Sequence, residues 1–163
     1  MLISVLTASD RCSRNICEDK SGPLISQMLC GTAKTVGYTV VPDEKEIIEK
    51  ELIRFCDELH SDIVFTTGGT GFAPRDVTPE ATKAVIEREA PGIPEAIRAF
   101  SMTKTPKAML SRATAGIRGK TLIINLPGSP KAVKESLEVV MPVLQHAIET
   151  MSGCTISCGA NAK

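Results

Sequence analysis

A chain of 163 residues, 42% apolar and 23% charged, has the length and composition of one globular domain with its own core. Nineteen Lys plus Arg against nineteen Asp plus Glu leave no basic excess for gripping a nucleic acid, and 3% aromatics without a Trp leave no platform for stacked bases. There is no run of ~18 apolar residues to span a membrane. The apolar residues 1–8 lack the basic lead of a secretory signal, and six irregularly spaced cysteines read as reduced thiols, so a cytoplasmic setting is expected.

Strand and helix patterns alternate along the chain. Residues 2–6 are a short β-rich run, followed by a polar loop over 9–20. Ser21-Gly22-Pro23 opens a helix, with Ser21 as N-cap, Pro23 in the first turn and Leu24, Ile25, Met28 and Leu29 as its apolar stripe. Gly37 ends it, and residues 38–41 predict a second strand. Residues 45–60 give the clearest helix, with Ile48, Leu52, Phe55, Cys56 and Leu59 on one face. Residues 62–67 are apolar at consecutive positions, as in a strand covered on both faces. The loop Gly68-Gly69-Thr70-Gly71 follows, then a helix over 78–89 opened by Thr78-Pro79-Glu80.

Further on, a shorter helix is predicted over 95–100 and strands over 109–115 and 121–126. Pro127-Gly128-Ser129-Pro130 begins a last helix that turns Val133, Leu137, Val140, Val143, Leu144 and Ile148 inward, with Pro142 kinking or splitting it. Residues 152–163, small and polar, read as a frayed tail beyond a single domain over 1–151. The alternation predicts a three-layer α/β/α fold around a largely parallel sheet. Such sheets bind ligands off the carboxyl ends of their strands. Here those ends carry Ser9 and Asp10, Pro42 and Asp43, residues 67–71, and residues 125–129.

Within that edge, three Gly and three Thr in residues 66–71 exceed what a tight turn requires. Glycine lets backbone N–H groups approach an anion, and the threonines add hydroxyl donors, so the loop suits a phosphate or an adenylate. Two common nucleotide motifs fail: Pro74 stands where the dinucleotide fingerprint needs its third Gly, and Thr114 where a P-loop ending in Gly119-Lys120-Thr121 needs its first. Asp43 and Asp76 each follow a strand and could simply close turns. Two carboxylates beside a polyphosphate repel it by about 4 kcal/mol per pair at 4 Å unless a cation intervenes, so the pair also suits Mg²⁺. Ser129 reads as a cap or, with Gly128, as an anion contact; Ser111, Arg112 and Lys120 offer donors, Lys120 reading best as a solvated surface residue. His60 and His146 read as helix-face residues, and Cys154-x3-Cys158 alone is no zinc pattern.

The run Thr66-Thr67-Gly68-Gly69-Thr70-Gly71-Phe72-Ala73-Pro74-Arg75-Asp76-Val77-Thr78-Pro79-Glu80-Ala81-Thr82 closely resembles the signature of the molybdopterin adenylyltransferase family, which includes bacterial MogA-type proteins and the G domain of gephyrin. Leu6-Thr7-Ala8-Ser9-Asp10, Val41-Pro42-Asp43-Glu44, Met109-Leu110-Ser111-Arg112 and Asn125-Leu126-Pro127-Gly128-Ser129 fit it in order, so the resemblance spans about residues 2–150. It implies that molybdopterin and ATP, with Mg²⁺, give adenylylated molybdopterin and pyrophosphate. It implies Asp43 and Asp76 as the catalytic, Mg²⁺-holding aspartates. Ser101, Ser111 and Asn125 would contact molybdopterin. The nucleotide would lie against Ser9, Asp10, Gly68, Gly69, Thr70, Gly71, Pro127, Gly128 and Ser129. Further expectations are a homotrimer and a separate insertase for the metal. A non-catalytic molybdopterin carrier and a pure scaffold are the alternatives.

Overall fold

The computed structural model describes residues 1–153. Strands β1 (Leu2–Ala8), β2 (Lys34–Val41), β3 (Ile63–Thr67), β4 (Arg88–Glu89), β5 (Ala115–Arg118) and β6 (Thr121–Leu126) form one sheet in the order β2-β1-β3-β6-β5-β4. β2, β1, β3 and β6 run parallel; β5 is antiparallel to β6 and to β4. Helices α1 (Asp10–Ser13), α2 (Ser21–Met28), α3 (Lys45–Ile53), α4 (Thr78–Val85), α5 (Gly92–Met102) and α6 (Pro130–Met151) complete the chain.

Alternation along each strand explains the layers. Ile3 and Val5, Ile63 and Phe65, and Leu122, Ile124 and Leu126 face one cluster with Ile25 and Leu29 of α2, Ile97 of α5, and Val133, Leu137, Val140 and Leu144 of α6. Leu6, Val64 and Ile123 face the other way, against Ile48, Leu52 and Phe55 of the α3 segment and Ala81 and Val85 of α4. β3, flanked by strands and covered by both helix layers, is buried at all five residues. Each such side chain stabilises the fold by about 1.5–3 kcal/mol. The three-layer, largely parallel α/β/α architecture is therefore the one the alternation predicts.

Several boundaries differ from the sequence reading, each for a local reason. α2 is capped by Asp19, whose Oδ1 accepts the N–H groups of Ser21 (2.9 Å) and Gly22 (3.1 Å); Ser21 is the first helical residue, not the cap. That helix ends at Met28, and Gly37 lies inside β2, where the pairing with β1 shifts register between Ile3 and Ser4. A Cβ on Gly37 would fall 2.6 Å from Ser4 Oγ, so the glycine marks crowding under a strand rather than a helix end. α3 continues as a π-helical turn, Arg54–Glu58, and His60 follows it with φ 49°, as a terminator rather than a helix-face residue. The helix predicted over 78–89 stops at Val85, and Arg88–Glu89 pair with β5. The strand predicted over 109–115 is instead a 3₁₀ turn, Pro106–Leu110, started by Thr105 and Pro106, and the strand begins at Ala115. Gly119 (φ 55°) and Lys120 form the two-residue turn from β5 into β6.

α6 is one continuous helix across Pro142. Pro142 and Glu138, whose carbonyl loses its helical donor, are both exposed, where water can take the place of the missing bond. Val143, expected inward, is 50% exposed; α5 (92–102) is longer than the predicted 95–100. The predicted tail, with Cys154 and Cys158, lies from residue 154 outside the described residues.

Candidate active site

Four parallel strands end at one edge, and the residues that follow them build the site. β1 runs into Ser9, whose hydroxyl accepts Cys12 N–H and caps α1. β2 ends at Val41, followed by Pro42 and Asp43. β3 ends at Thr67, followed by the Gly-Thr loop. β6 ends at Leu126, and Ser129 caps α6 by accepting Ala132 N–H at 3.3 Å.

The first two loops interlock through acids. Asp43 Oδ2 accepts Asp10 N–H at 2.8 Å, and Asp43 N–H donates to Asp10 Oδ1 at 3.2 Å. The Arg75 guanidinium grips Asp10 with two bonds, 2.9 and 2.7 Å. Arg75 thereby holds the Asp10 carboxyl below the usual carboxylate range. Asp43 is pushed up instead: burial dominates, and the Asp10 and Asp76 charges add to it against the opposing Asp10 amide and Arg75. Asp43 and Asp76 therefore feel each other's charge across the loop between them.

That loop is shaped by close approach. Gly68, at φ 90°, would drive a Cβ into the Ala8 carbonyl oxygen; Gly69, at φ 63°, would drive one into Thr78 Oγ1 and put it 3.1 Å from Asp43 Oδ1. Thr78 Oγ1, fully buried, has no hydrogen-bond partner among the described residues and so no role as a cap there. Asp76 closes a turn by accepting Ala73 N–H at 2.9 Å, and a Cβ on Gly71 would meet its Oδ2 at 2.8 Å. The turn-closing reading and a ligand-facing reading of Asp76 are thus compatible, since the turn uses one oxygen.

Arg112 was only a candidate anion donor in the sequence, and its place in the structure is different. Its backbone N–H bonds Thr70 O (2.9 Å), and its guanidinium bonds Gly71 O (2.7 Å), Asp76 O and the Glu80 carboxylate. One side chain thus fixes both ends of the loop that carries Asp76. No sequence signal marks that task, because its acceptors are backbone carbonyls about forty residues away. Asn125, expected to touch molybdopterin, is fully buried. Its amide donates to Thr66 Oγ1 (2.9 Å) and Thr82 Oγ1 (2.8 Å), and its carbonyl accepts Thr114 N–H (3.2 Å). It ties β6 to β3 and α4 with both amide hydrogens committed. Lys120 sits at the opposite, amino end of β6.

Two cavities flank the Gly-Thr loop and the Pro127-Gly128 corner. One, of about 290 Å³, is lined by Thr70, Gly71, Pro127, Ser101, Ser111, Arg98 and Lys107 among others, and is largely apolar. The other, of about 340 Å³, is lined by Ser9, Thr67, Gly68, Gly128, Asp19 and Lys20 among others. Thr67 Oγ1 donates to Pro127 O (2.7 Å) and Ser21 Oγ to Gly128 O (2.8 Å), pinning the shared wall. Ser101 and Ser111 are thus grouped in the first cavity, and Ser9, Gly68 and Gly128 in the second. No group of three or more metal-type side chains exists among the described residues. The Asp43 carboxylate, which approaches Gly69 from the same side as the orphaned Thr78 hydroxyl, and the Asp76 carboxylate against Gly71 are hard donors that fit Mg²⁺, which keeps few protein ligands and takes the rest from phosphate and water.

Comparison with known proteins adds a second, independent line. Residues 4–146 match the family model described as "Probable molybdopterin binding domain". A molybdopterin adenylyltransferase of Helicobacter pylori J99 is 48% identical over 154 residues, 93% of this chain and 88% of that protein. The molybdopterin adenylyltransferase of Escherichia coli K12 is 45% identical over 141 residues, covering 85% of this chain and 72% of the other. Among solved structures, the molybdopterin biosynthesis enzyme MoaB of Thermus thermophilus superposes with a TM-score of 0.88 at 46% identity, covering 93% of this chain and 96% of that one.

Proposed function

From the premise that this chain belongs to the molybdopterin-binding domain family, we infer that it is a molybdopterin adenylyltransferase, a nucleotidyltransferase of molybdenum cofactor biosynthesis. The observation that carries the reading is the pair of cavities that share the Gly-Thr loop and the Pro127-Gly128 corner, with Asp43 close to Gly69 and Asp76 close to Gly71 of that loop. The mostly apolar cavity suits a flat pterin, with Ser101, Ser111, Arg98 and Lys107 available to its phosphate. The polar cavity suits the nucleotide, against Ser9, Gly68 and Gly128, with Asp10 the residue after Ser9.

The chemistry asks little of the chain beyond alignment. The terminal phosphate of molybdopterin attacks the α-phosphorus of ATP, and pyrophosphate leaves. A phosphate is already a nucleophile, so no side chain need remove a proton; the protein brings two anions together and aligns them. Mg²⁺, held by Asp43 and Asp76, would neutralise charge on the triphosphate. Asp10 sets Asp43 through its amide, Arg75 sets Asp10, and Arg112 holds the Asp76 loop. Thr70 and Gly71 border the pterin side of the wall, and Gly68 the nucleotide side.

The deciding experiment is pyrophosphate release from Mg-ATP with and without fresh molybdopterin, the product weighed by mass spectrometry. Pterin-dependent release with a gain of one AMP is expected. Pterin binding without any release would leave the carrier reading in its place. We further take the working form to be a homotrimer that acts in the cytoplasm and passes its product to a separate insertase. Gephyrin of Dictyostelium discoideum supports such a link: it is 48% identical over 90% of this chain, and the match spans only 22% of gephyrin.

A further inference from the structure

The segment between β1 and α2 is anchored at both ends and carries an unassigned pair at its centre. At its start, Ser9 caps α1 and Asp10 binds Arg75. At its close, Asp19 accepts from Thr7 Oγ1 (2.5 Å), from Tyr38 OH (2.8 Å) and from the first amides of α2. Between them, Asn15 turns the chain back at φ 57° and brings Cys17 Sγ to 2.8 Å from Cys12 Sγ. Cys12 lines the polar cavity beside Thr67 and Gly68. Both thiols are partly exposed, and neither has a role in the reaction described above.

We propose that Cys12 and Cys17 are a modification site: a reversible disulfide that closes this loop and stiffens the wall of the polar cavity. A sulfur pair already in contact needs less than an ångström of motion to reach the ~2.05 Å of an S–S bond. The bond arises by exchange with a small-molecule disulfide. Cys12, open to the cavity, attacks as thiolate and releases one thiolate of the reagent. Cys17 loses its proton and attacks the mixed disulfide at Cys12 sulfur, releasing the second. Two cysteine thiols are oxidised, one external disulfide is reduced to two thiols, and the two protons pass to those thiols. Cys17 holds its proton above the ordinary thiol range, mainly through its bond to the Cys12 sulfur, which suits it to act second. With its middle fixed, the segment can no longer adjust around a ligand in that cavity.

The test uses the full chain, reduced, desalted and incubated with oxidised glutathione, then alkylated with iodoacetamide and digested. Trypsin cuts after Arg11, Arg14 and Lys20, so the cysteines part onto peptides 12–14 and 15–20 unless a bond joins them. Joined peptides, released by dithiothreitol, are expected. Cys17→Ser should instead trap glutathione on Cys12. Alkylated Cys12 and Cys17 alongside glutathionylated Cys30, which is exposed, would overturn the proposal, as would either cysteine bonded elsewhere. The effect on the cavity rests on the nucleotide reading above. Calorimetry with Mg-ATP should show affinity weakened at least threefold by oxidation and restored by reduction. A joined pair with unchanged affinity removes the control of the cavity. If the reduced protein binds no Mg-ATP at all, the nucleotide reading fails, while the peptide map still decides the bond.

Discussion

Asp43 combines two demands that oppose each other. It is half-buried between Asp10 and Gly69, and its carboxyl is raised above the ordinary value of 3.8. The folded protein thus holds that proton more tightly than the unfolded chain. The penalty for ionising is absent below the ordinary carboxyl pKa, grows as pH rises through the folded value, and persists at neutral pH. Asp43→Asn keeps an acceptor for Asp10 N–H and sheds the charge. Thermal unfolding at neutral pH should therefore shift up, by about one to three degrees, while pyrophosphate release falls ~10²-fold or more. An Asn variant that melts lower would show that the acid is no burden to the fold. Asp76→Asn should lose activity to a similar extent with its circular dichroism intact. If Asp43 holds Mg²⁺ as proposed, it must be ionised to do so, and wild-type activity should fade on acidification at a pH above that of an ordinary carboxylate, which a pH–rate profile reads directly. The turn reading of Asp76 was legible in the sequence, because an acid just before a helix is a local pattern. Arg112 was not, since its acceptors are carbonyls brought to it only by folding.

Among the elements, the contact between β6, β3 and α4 turns on one amide. Asn125→Ala would leave the Thr66 and Thr82 hydroxyls and the Thr114 N–H buried with fewer partners. A loss of about 2–4 kcal/mol is expected in urea unfolding, with the slope unchanged. A loss below about 1 kcal/mol would mean that water takes up the freed groups. Had Asn125 been a ligand contact alone, activity would fall with stability untouched. The buried strand β3 was readable from sequence: Ile63, Val64 and Phe65 are apolar on consecutive positions, as in a strand covered on both faces. Boundaries set by distant neighbours were not. Gly37 looks like a helix end until Ser4, Phe55 and Leu59 are seen packed over it. Residues 109–115 look like a strand until Thr105 and Pro106 commit the preceding residues to a 3₁₀ turn.

For the whole molecule, the largely parallel order of the sheet has two outcomes. It gathers the residues that follow four separate strand ends at one edge, which is why the sequence pattern alone points to that edge as the candidate site. Light scattering after gel filtration should give about three times the 17.4 kDa of the chain if the trimer is correct, and a single-chain mass would refute it. The same order also governs when the protein can come into being. β3 lies between β1 and β6, and Thr67 meets Pro127 sixty residues downstream, while the helix that seals one face of the sheet is the last described element to be made. A chain still being synthesised can pair β1, β2 and β3 and lay α2 on them, yet the core on that face lacks Val133, Leu137, Val140 and Leu144 until α6 leaves the ribosome. Folding should then be late and largely post-translational, with the β5–β6 hairpin as its most local step, and the nascent chain should depend on chaperones far more than the finished protein does.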